Sequence, residues 1–312
     1  LVAKYLVTGA AGFIGSNIVE ELVRRGEEVR AFDNLSTGKQ ANLRGVASSI
    51  EFVRGDITDA ESVKGAVRGV DYVLHQAALP SVPRSVQDPL ASHEANATGT
   101  LNVLLAARDE GVKRVVYASS SAVYGDSPTL PKHEAMPTDP LSPYAVNKLA
   151  GEHYCKVFSL IYGLPTVALR YFNVFGPRQD PTSQYAAVIP AFIVAMLEGR
   201  RPIIYGDGQQ SRDFTYVSNV VSANLLACQR DEAVGSAMNI ACGDRITLLE
   251  LVAQLNSLLG TNIEPVHEPA RPGDVKHSMA DITQAEKKLG YKTIVDFSAG
   301  LSKTIEAVKR GT

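Results

Sequence analysis

The chain reads as an α/β protein built on a doubly wound parallel sheet, and three observations lead there. Short β-rich runs alternate with helical stretches through the first half, a glycine-rich turn joins the first run to the first helix, and strand-to-strand spacings leave room for a helix each time. A smaller C-terminal α+β lobe is expected beside it, because the alternation fades once the prolines begin.

The runs can be taken in order. Tyr5–Thr8 is apolar, and Gly12–Arg25 follows with Ile14, Ile18 and Leu22 on one helical face. Further strands are expected at Glu28–Phe32, Ile50–Arg54, Tyr72–Gln76, Val115–Ser119 and Thr166–Arg170, with helices at His93–Glu110 and Tyr144–Tyr162 among them. After Phe175, Pro177, Pro181, Pro190 and Pro202 punctuate shorter segments. Helices are expected at Ile189–Glu198, Val217–Gln229 and Leu248–Leu259, with a strand at Ala237–Ile240. The division this suggests is residues 1–175 plus 214–242 for a dinucleotide-binding domain and 176–213 plus 243–312 for a substrate-binding domain. No internal repeat or low-complexity tract interrupts it.

Composition removes several classes. The 312 residues are 45% hydrophobic and 21% charged, ordinary for a globular protein. A net charge of −2 with no dense Lys/Arg run gives no field for nucleic acid or an anionic membrane. An anionic ligand therefore needs local donors. The cysteines, Cys155, Cys228 and Cys242, have no metal-ligand or CxxC spacing, so no metal site is expected and buried thiols suit a reducing compartment. Apolar runs such as Ala191–Leu197 are too short to span a bilayer, and the first strand begins within a few residues of Leu1, so no secretion signal is expected. The expected location is the cytoplasm.

Chemistry concentrates in three places. The first is Thr8-Gly9-Ala10-Ala11-Gly12-Phe13-Ile14-Gly15. Gly9 permits a tight turn, Gly12 lets backbone N–H groups approach a pyrophosphate, and Gly15 lets the helix lie close to the sheet. The spacing is GxxGxxG rather than the usual GxGxxG, and alone it is equally a plain turn. Asp33 strengthens it by ending the second strand, where a carboxylate accepts ribose hydroxyls and repels a 2′-phosphate, favouring NAD over NADP. The competing role for Asp33-Asn34 is a turn or helix cap. Asp56-Ile57, after the third strand, could meet the adenine edge. Together these features make the fold Rossmann-like.

The second place is a helix opened by Ser142-Pro143, on which Tyr144 and Lys148 stand four apart and share a face. An ammonium beside a phenol is expected to draw its pKa from about 10 towards neutrality. Such a tyrosinate can take the proton of a hydroxyl while hydride leaves the same carbon. The third is Ser119-Ser120-Ser121, at the carboxyl edge of its strand, where such sheets hold ligands. YxxxK alone is common on helices, and a serine run alone is a polar turn; their order after the glycine loop gives them weight.

With these motifs in order, the chain resembles the extended short-chain dehydrogenase/reductase family, and within it the nucleotide-sugar epimerases. The carrying segments are TGAAGFIGS at 8–16, DN at 33–34, GDI at 55–57, HQAA at 75–78, SSSAVYG at 119–125, YAVNK at 144–148 and RYFNVFGPRQDP at 170–181. SRDF at 211–214 and RPGD at 271–274 extend the match over essentially the whole chain. The resemblance implies Tyr144 as base, Lys148 as its partner and ribose ligand, and Ser120 as the catalytic hydroxyl. It implies a tightly bound NAD held by Gly9, Gly12, Phe13, Ile14, Gly15, Asp33, Asn34, Ser36, Thr37, Gly38, Asp56 and Ile57. Gln76, Ala77, Ala78, Asn96 and Tyr171, with Tyr144 and Lys148, complete that set. It implies a UDP-sugar held by Ser81, Ser121, Asn173, Gln179, Ala187, Val188, Tyr205, Arg212, Arg271, Asp274 and Ser278. It also implies a homodimer pairing helices His93–Glu110 and Tyr144–Tyr162.

Departures from the family pattern narrow the reaction. Dehydratases place Asp-Glu, and decarboxylases a Glu at the second position, where this chain has Ser121 and Ala122. Glucuronate epimerases tend to carry Thr where Asn173 stands. Ser278 is small where strict UDP-galactose epimerases have a large residue, and Ser81, Arg84 and Gln179 resemble epimerases of N-acetylated hexosamines. Pro80 stands where relatives often carry Gly or Lys, and it stiffens the loop. The implied activity is 4-epimerisation of UDP-glucose/UDP-galactose and the N-acetylated pair through a 4-keto sugar. Its rivals are a UDP-glucuronate or other nucleotide-sugar epimerase and, more distantly, a non-catalytic NAD-binding regulator.

Overall fold

A computed structural model describes residues 2–181, 187–270 and 276–311. Seven parallel strands form its main sheet: β1 Lys4–Thr8, β2 Glu28–Asp33, β3 Glu51–Arg54, β4 Tyr72–His75, β5 Arg114–Ser120, β6 Thr166–Tyr171 and β7 Ala237–Ile240. Their order is β7-β6-β5-β4-β1-β2-β3. The chain starts in the middle and winds outwards both ways, so loops leaving β1 and β4 diverge. That divergence opens a crevice beyond their carboxyl ends.

Side-chain alternation fixes which face each strand residue covers. Tyr5, Val7, Val116, Ala118, Val167 and Leu169 pack on one face, with helix α1 (Phe13–Arg24) among its partners. Leu6, Val115, Tyr117 and Ala168 pack on the other. There they meet residues of α2 (Ala60–Val67), α3 (Gly99–Asp109) and α4 (Pro143–Ile161), including Val63, Leu104 and Phe158. Both faces are apolar because both are covered, which is why these strands read as continuous hydrophobic runs.

The expected elements form within one or two residues of their anticipated ends, with one informative difference. The stretch expected as a single helix at His93–Glu110 is interrupted by a π turn at Glu94–Thr98 before α3. No periodicity rule distinguishes that turn, which contains Asn96, a residue whose side chain bonds the Leu79 backbone. The second half adds α5 (Val188–Leu197), α6 (Val217–Gln229), α7 (Leu248–Leu259) and two-residue pairings, such as Ile246–Thr247 with Ser211–Arg212. These short pairings lie below what sequence patterns resolve. Among the described residues, no helix is long and apolar enough to cross a membrane.

Candidate active site

A cleft of about 1100 Å³ lies at the carboxyl ends of β1, β2, β4 and β5. Its floor is the turn from β1 into α1. Gly9 has φ +66°, and a Cβ there would meet Ala77 N at 2.7 Å; a Cβ on Gly15 would meet Gly9 O at 2.1 Å. Glycine is thus required twice, once by conformation and once by contact. Gly12 is the extended residue before α1, leaving the helix's first amides directed towards the cleft.

Asp33 ends β2 at the cleft wall, 7% exposed, with Oδ2 accepting from Ala11 N–H (2.9 Å) and Oδ1 from Leu35 N–H (2.7 Å). The turn role and the ribose role are therefore compatible, since each oxygen retains a further acceptor site. Asn34 donates to Asp56 Oδ2 (2.7 Å), joining the ends of β2 and β3. Burial opposes ionisation of Asp56, but bonds from Thr58 and Asn34 outweigh it and lower its pKa.

A directional chain of hydrogen bonds holds the opposite wall. Thr100 Oγ1 donates to Asn96 O (2.7 Å), so it accepts from His75 Nε2–H (3.1 Å). His75 Nδ1 then accepts from the Thr8 hydroxyl (2.7 Å), which itself accepts from Ala77 N–H (3.2 Å). Burial, with Lys148 nearby, drops the His75 pKa to about 3, so the ring stays neutral and this tautomer persists. Asn96 spans Leu79, accepting its N–H (2.7 Å) and donating to its carbonyl (3.0 Å). This pair of hydrogen bonds leaves from the middle of the π turn. It also fixes the Leu79-Pro80-Ser81 loop, where Ser81 sits at φ +93°.

Helix α4 brings in the reactive pair. Ser142 caps it by accepting from Ala145 N–H (3.2 Å), and Ser85 Oγ accepts from Tyr144 N–H (3.1 Å). Tyr144 and Lys148 both line the cleft. The Ser120 hydroxyl, which accepts from Ala122 N–H (3.2 Å), favours the ionised form of the Tyr144 phenol. Lys148 Nζ donates to Ala118 O (2.8 Å) and lies 5.8 Å from the Tyr144 ring centroid. Ser119, Glu152 and Arg170 lock helix to strands: Arg170 bonds both Glu152 oxygens (2.9 and 2.7 Å), and the Ser119 hydroxyl donates to the same carboxylate.

One electrostatic expectation needs correction. In the protein alone, Tyr144 is not drawn towards neutrality; burial raises its pKa, with only Ser120 opposing. Burial also pushes Lys148 down to about 8. Both shifts arise because the low-dielectric cleft disfavours charge. A positive group bound beside the phenol is what would reverse the balance.

Most expected site residues meet here. Gly9, Gly12, Phe13, Ile14, Gly15, Asp33, Asn34, Ser36, Thr37, Asp56, Ile57, Gln76, Ala77, Ala78 and Tyr171 line the cleft with Tyr144 and Lys148. Ser81, Gln179 and Ala187 also reach it. Gly38 stands behind Asp33, where a Cβ would come within 2.9 Å of Oδ2. Ser120, Ser121, Asn96, Asn173, Val188, Tyr205, Arg212 and Ser278 are not on its wall. Asn173 donates to Asp213 O (3.3 Å), while Arg212 donates to the carbonyls of Ser211 (3.0 Å) and Lys276 (3.2 Å). Ser278 N–H bonds Ser211 O (3.0 Å), keeping these segments adjacent. Arg271 and Asp274 lie outside the described residues. Not anticipated were His75, Ser85, Glu152, Arg170 and Arg178; only the polar character of positions inside otherwise apolar elements could have signalled the first four.

The residues fit a dinucleotide: a glycine cradle that a Cβ would fill, helix amides, and a buried carboxylate across from them. The family model for NAD dependent epimerases and dehydratases matches residues 5–241. The chain belongs to that family. NAD is accordingly its cofactor. A putative UDP-glucose 4-epimerase of Methanocaldococcus jannaschii is 40% identical over 97% of this chain and 98% of its own length. The structure of UDP-N-acetylglucosamine 4-epimerase from Methanobrevibacter ruminantium, in complex with UDP-N-acetylmuramic acid, superposes at a TM-score of 0.95. It is 42% identical, covering 100% of this chain and 99% of that one. That of Thermus thermophilus UDP-glucose 4-epimerase with NAD gives 0.90 at 39% identity, covering 99% and 100%. Within the family, the chain is an enzyme of the epimerase class.

Proposed function

We propose that the protein inverts the 4-hydroxyl of a neutral UDP-hexose, plain or N-acetylated, in the cytoplasm. The observation that carries this is the convergence of glycine cradle, Asp33, Tyr144 and Lys148 on one cleft. When bound, NAD⁺ supplies the hydride acceptor and donor, together with a positive ring that favours ionisation of a neighbouring phenol. Tyr144 receives the proton of the sugar's 4-hydroxyl as its C4–H bond breaks, and Ser120 holds the same oxygen. Lys148 stabilises the phenolate, and the 4-keto sugar turns over before C4 is reduced from its other face. In this reading Arg212, Arg271 and Asp274 belong to the half of the site that anchors the nucleotide. The 176–213 and 243–312 segments are assigned to that half.

A neutral sugar is favoured by Gln179. Its Nε2 donates to Val174 O (3.1 Å), which fixes the amide orientation, and its buried Oε1 has no partner among the described residues. The lone acceptor suits a hydroxyl or acetamido N–H and repels a carboxylate. The small Ser278 agrees with room for the acetamido group. Rates with UDP-galactose, UDP-N-acetylgalactosamine and UDP-glucuronate, separated by chromatography, test this. The first two should epimerise at least about tenfold faster than the uronate; a fastest uronate would overturn the choice, and no epimerisation of any would overturn the activity.

The protein is further inferred to pair with a second copy. Val146, Tyr154, Val157 and Ile161 recur at helical spacing on α4, exposed by 50, 38, 39 and 72%. An apolar stripe of that kind is normally covered. Light scattering should give twice the chain mass, and V157E/I161E should give the chain mass; a monomeric parent protein would contradict the pairing.

A further inference from the structure

The segment after β6 runs back over α1, and its contacts are polar. Asn17, on the second turn of α1, donates to Pro177 O (3.3 Å) and accepts from Arg178 Nη2 (2.7 Å). The same Nη2 bonds Glu20 (2.6 Å), Nη1 reaches Asn42 O (3.4 Å), and Asp180 pairs with Lys39 at 2.8 Å. Arg178 holds a left-handed backbone, φ +69°, which a non-glycine residue adopts only where its surroundings impose it.

The guanidinium is nonetheless incompletely satisfied. Its side chain is 16% exposed, and its Nε is fully buried with no partner among the described residues, although Arg178 lines the cleft. A buried cationic N–H without an acceptor is costly. Beside it are the first amides of α1, which also carry partial positive charge. Arg178 and the first residues of α1 line the same cleft, and with Nη1 on Asn42 O and Nη2 on Asn17 and Glu20, Nε is left for a further acceptor.

We propose that Arg178 is a cofactor-binding residue whose Nε–H donates to the diphosphate of the dinucleotide, and that residues 177–180 act as a strap retaining it. This rests on the epimerase reading only in that such an enzyme recycles its NAD and gains from slow release; the contact itself does not depend on the sugar. A diphosphate could also belong to the nucleotide sugar, so the test separates the two.

Binding of NAD⁺, ADP-ribose, adenosine and UDP to nucleotide-free protein would be measured by calorimetry for the parent, R178M and R178K. R178M should weaken NAD⁺ and ADP-ribose about tenfold to a hundredfold, leaving adenosine and UDP unchanged. R178K should recover only part, because one ammonium cannot serve Asn17, Glu20 and a phosphate together. Unchanged NAD⁺ affinity, an equal loss for adenosine, or a loss confined to UDP would each overturn the assignment. Should R178M not fold, a crystal structure of the unaltered protein with NAD⁺ decides: Nε within about 3.2 Å of a phosphate oxygen supports it, and Nε bonded elsewhere overturns it. Epimerisation by the parent protein is assayed separately, so failure here leaves that reading standing.

Discussion

Replacing Tyr144 with Phe is expected to lower turnover by about three orders of magnitude, within the range for losing a positioned acid–base group, while leaving NAD bound. The ring's packing is retained, since only the hydroxyl is removed. Lys148 keeps its bond to Ala118 O, which does not depend on that hydroxyl. What disappears is the phenol oxygen of a residue that lines the cleft. The pH profile carries a second signature. With the phenolate as base, the parent's rate should climb with pH until the phenol ionises, and that limb should vanish in Y144F. A variant with parental turnover would remove the proposed base.

Gly15→Ala is expected to abolish NAD binding and to lower stability by about 1–3 kcal/mol. The obstacle is backbone, not a movable side chain: the added methyl would lie 2.1 Å from Gly9 O and 2.8 Å from Gly9 C. Relief requires α1 to move off the sheet or the Gly9 turn to shift towards Ala77, whose nitrogen already crowds that glycine. Either movement displaces the helix amides that would face the diphosphate. NAD content after purification and the thermal midpoint measure both effects. A variant retaining NAD at the parental midpoint would show that the turn is looser than these contacts imply.

These cases mark how far the sequence reaches. The glycine turn, Asp33 and the Tyr144/Lys148 pair were legible because each follows from local chemistry: a tight turn, a strand end, a helical face. Strand periodicity likewise identified all seven strands of the main sheet. Arg178 was not legible, since its meaning depends on Asn17 and Glu20, 161 and 158 residues away. Nor was the π turn, whose Asn96 bonds Leu79, 17 residues earlier. The acidity of Tyr144 in the protein without NAD was not legible for a related reason. Spacing puts an ammonium on the phenol's face of the helix but does not reveal that a strand carbonyl holds it, or that burial opposes the charge.

In the proposed reaction one hydrogen leaves C4 of the sugar and returns to the same carbon without meeting solvent. UDP-galactose deuterated at C4 tests it most directly. The epimerised product should keep its deuterium at C4, with slowed turnover for the labelled sugar. Product carrying solvent hydrogen at C4 would contradict it.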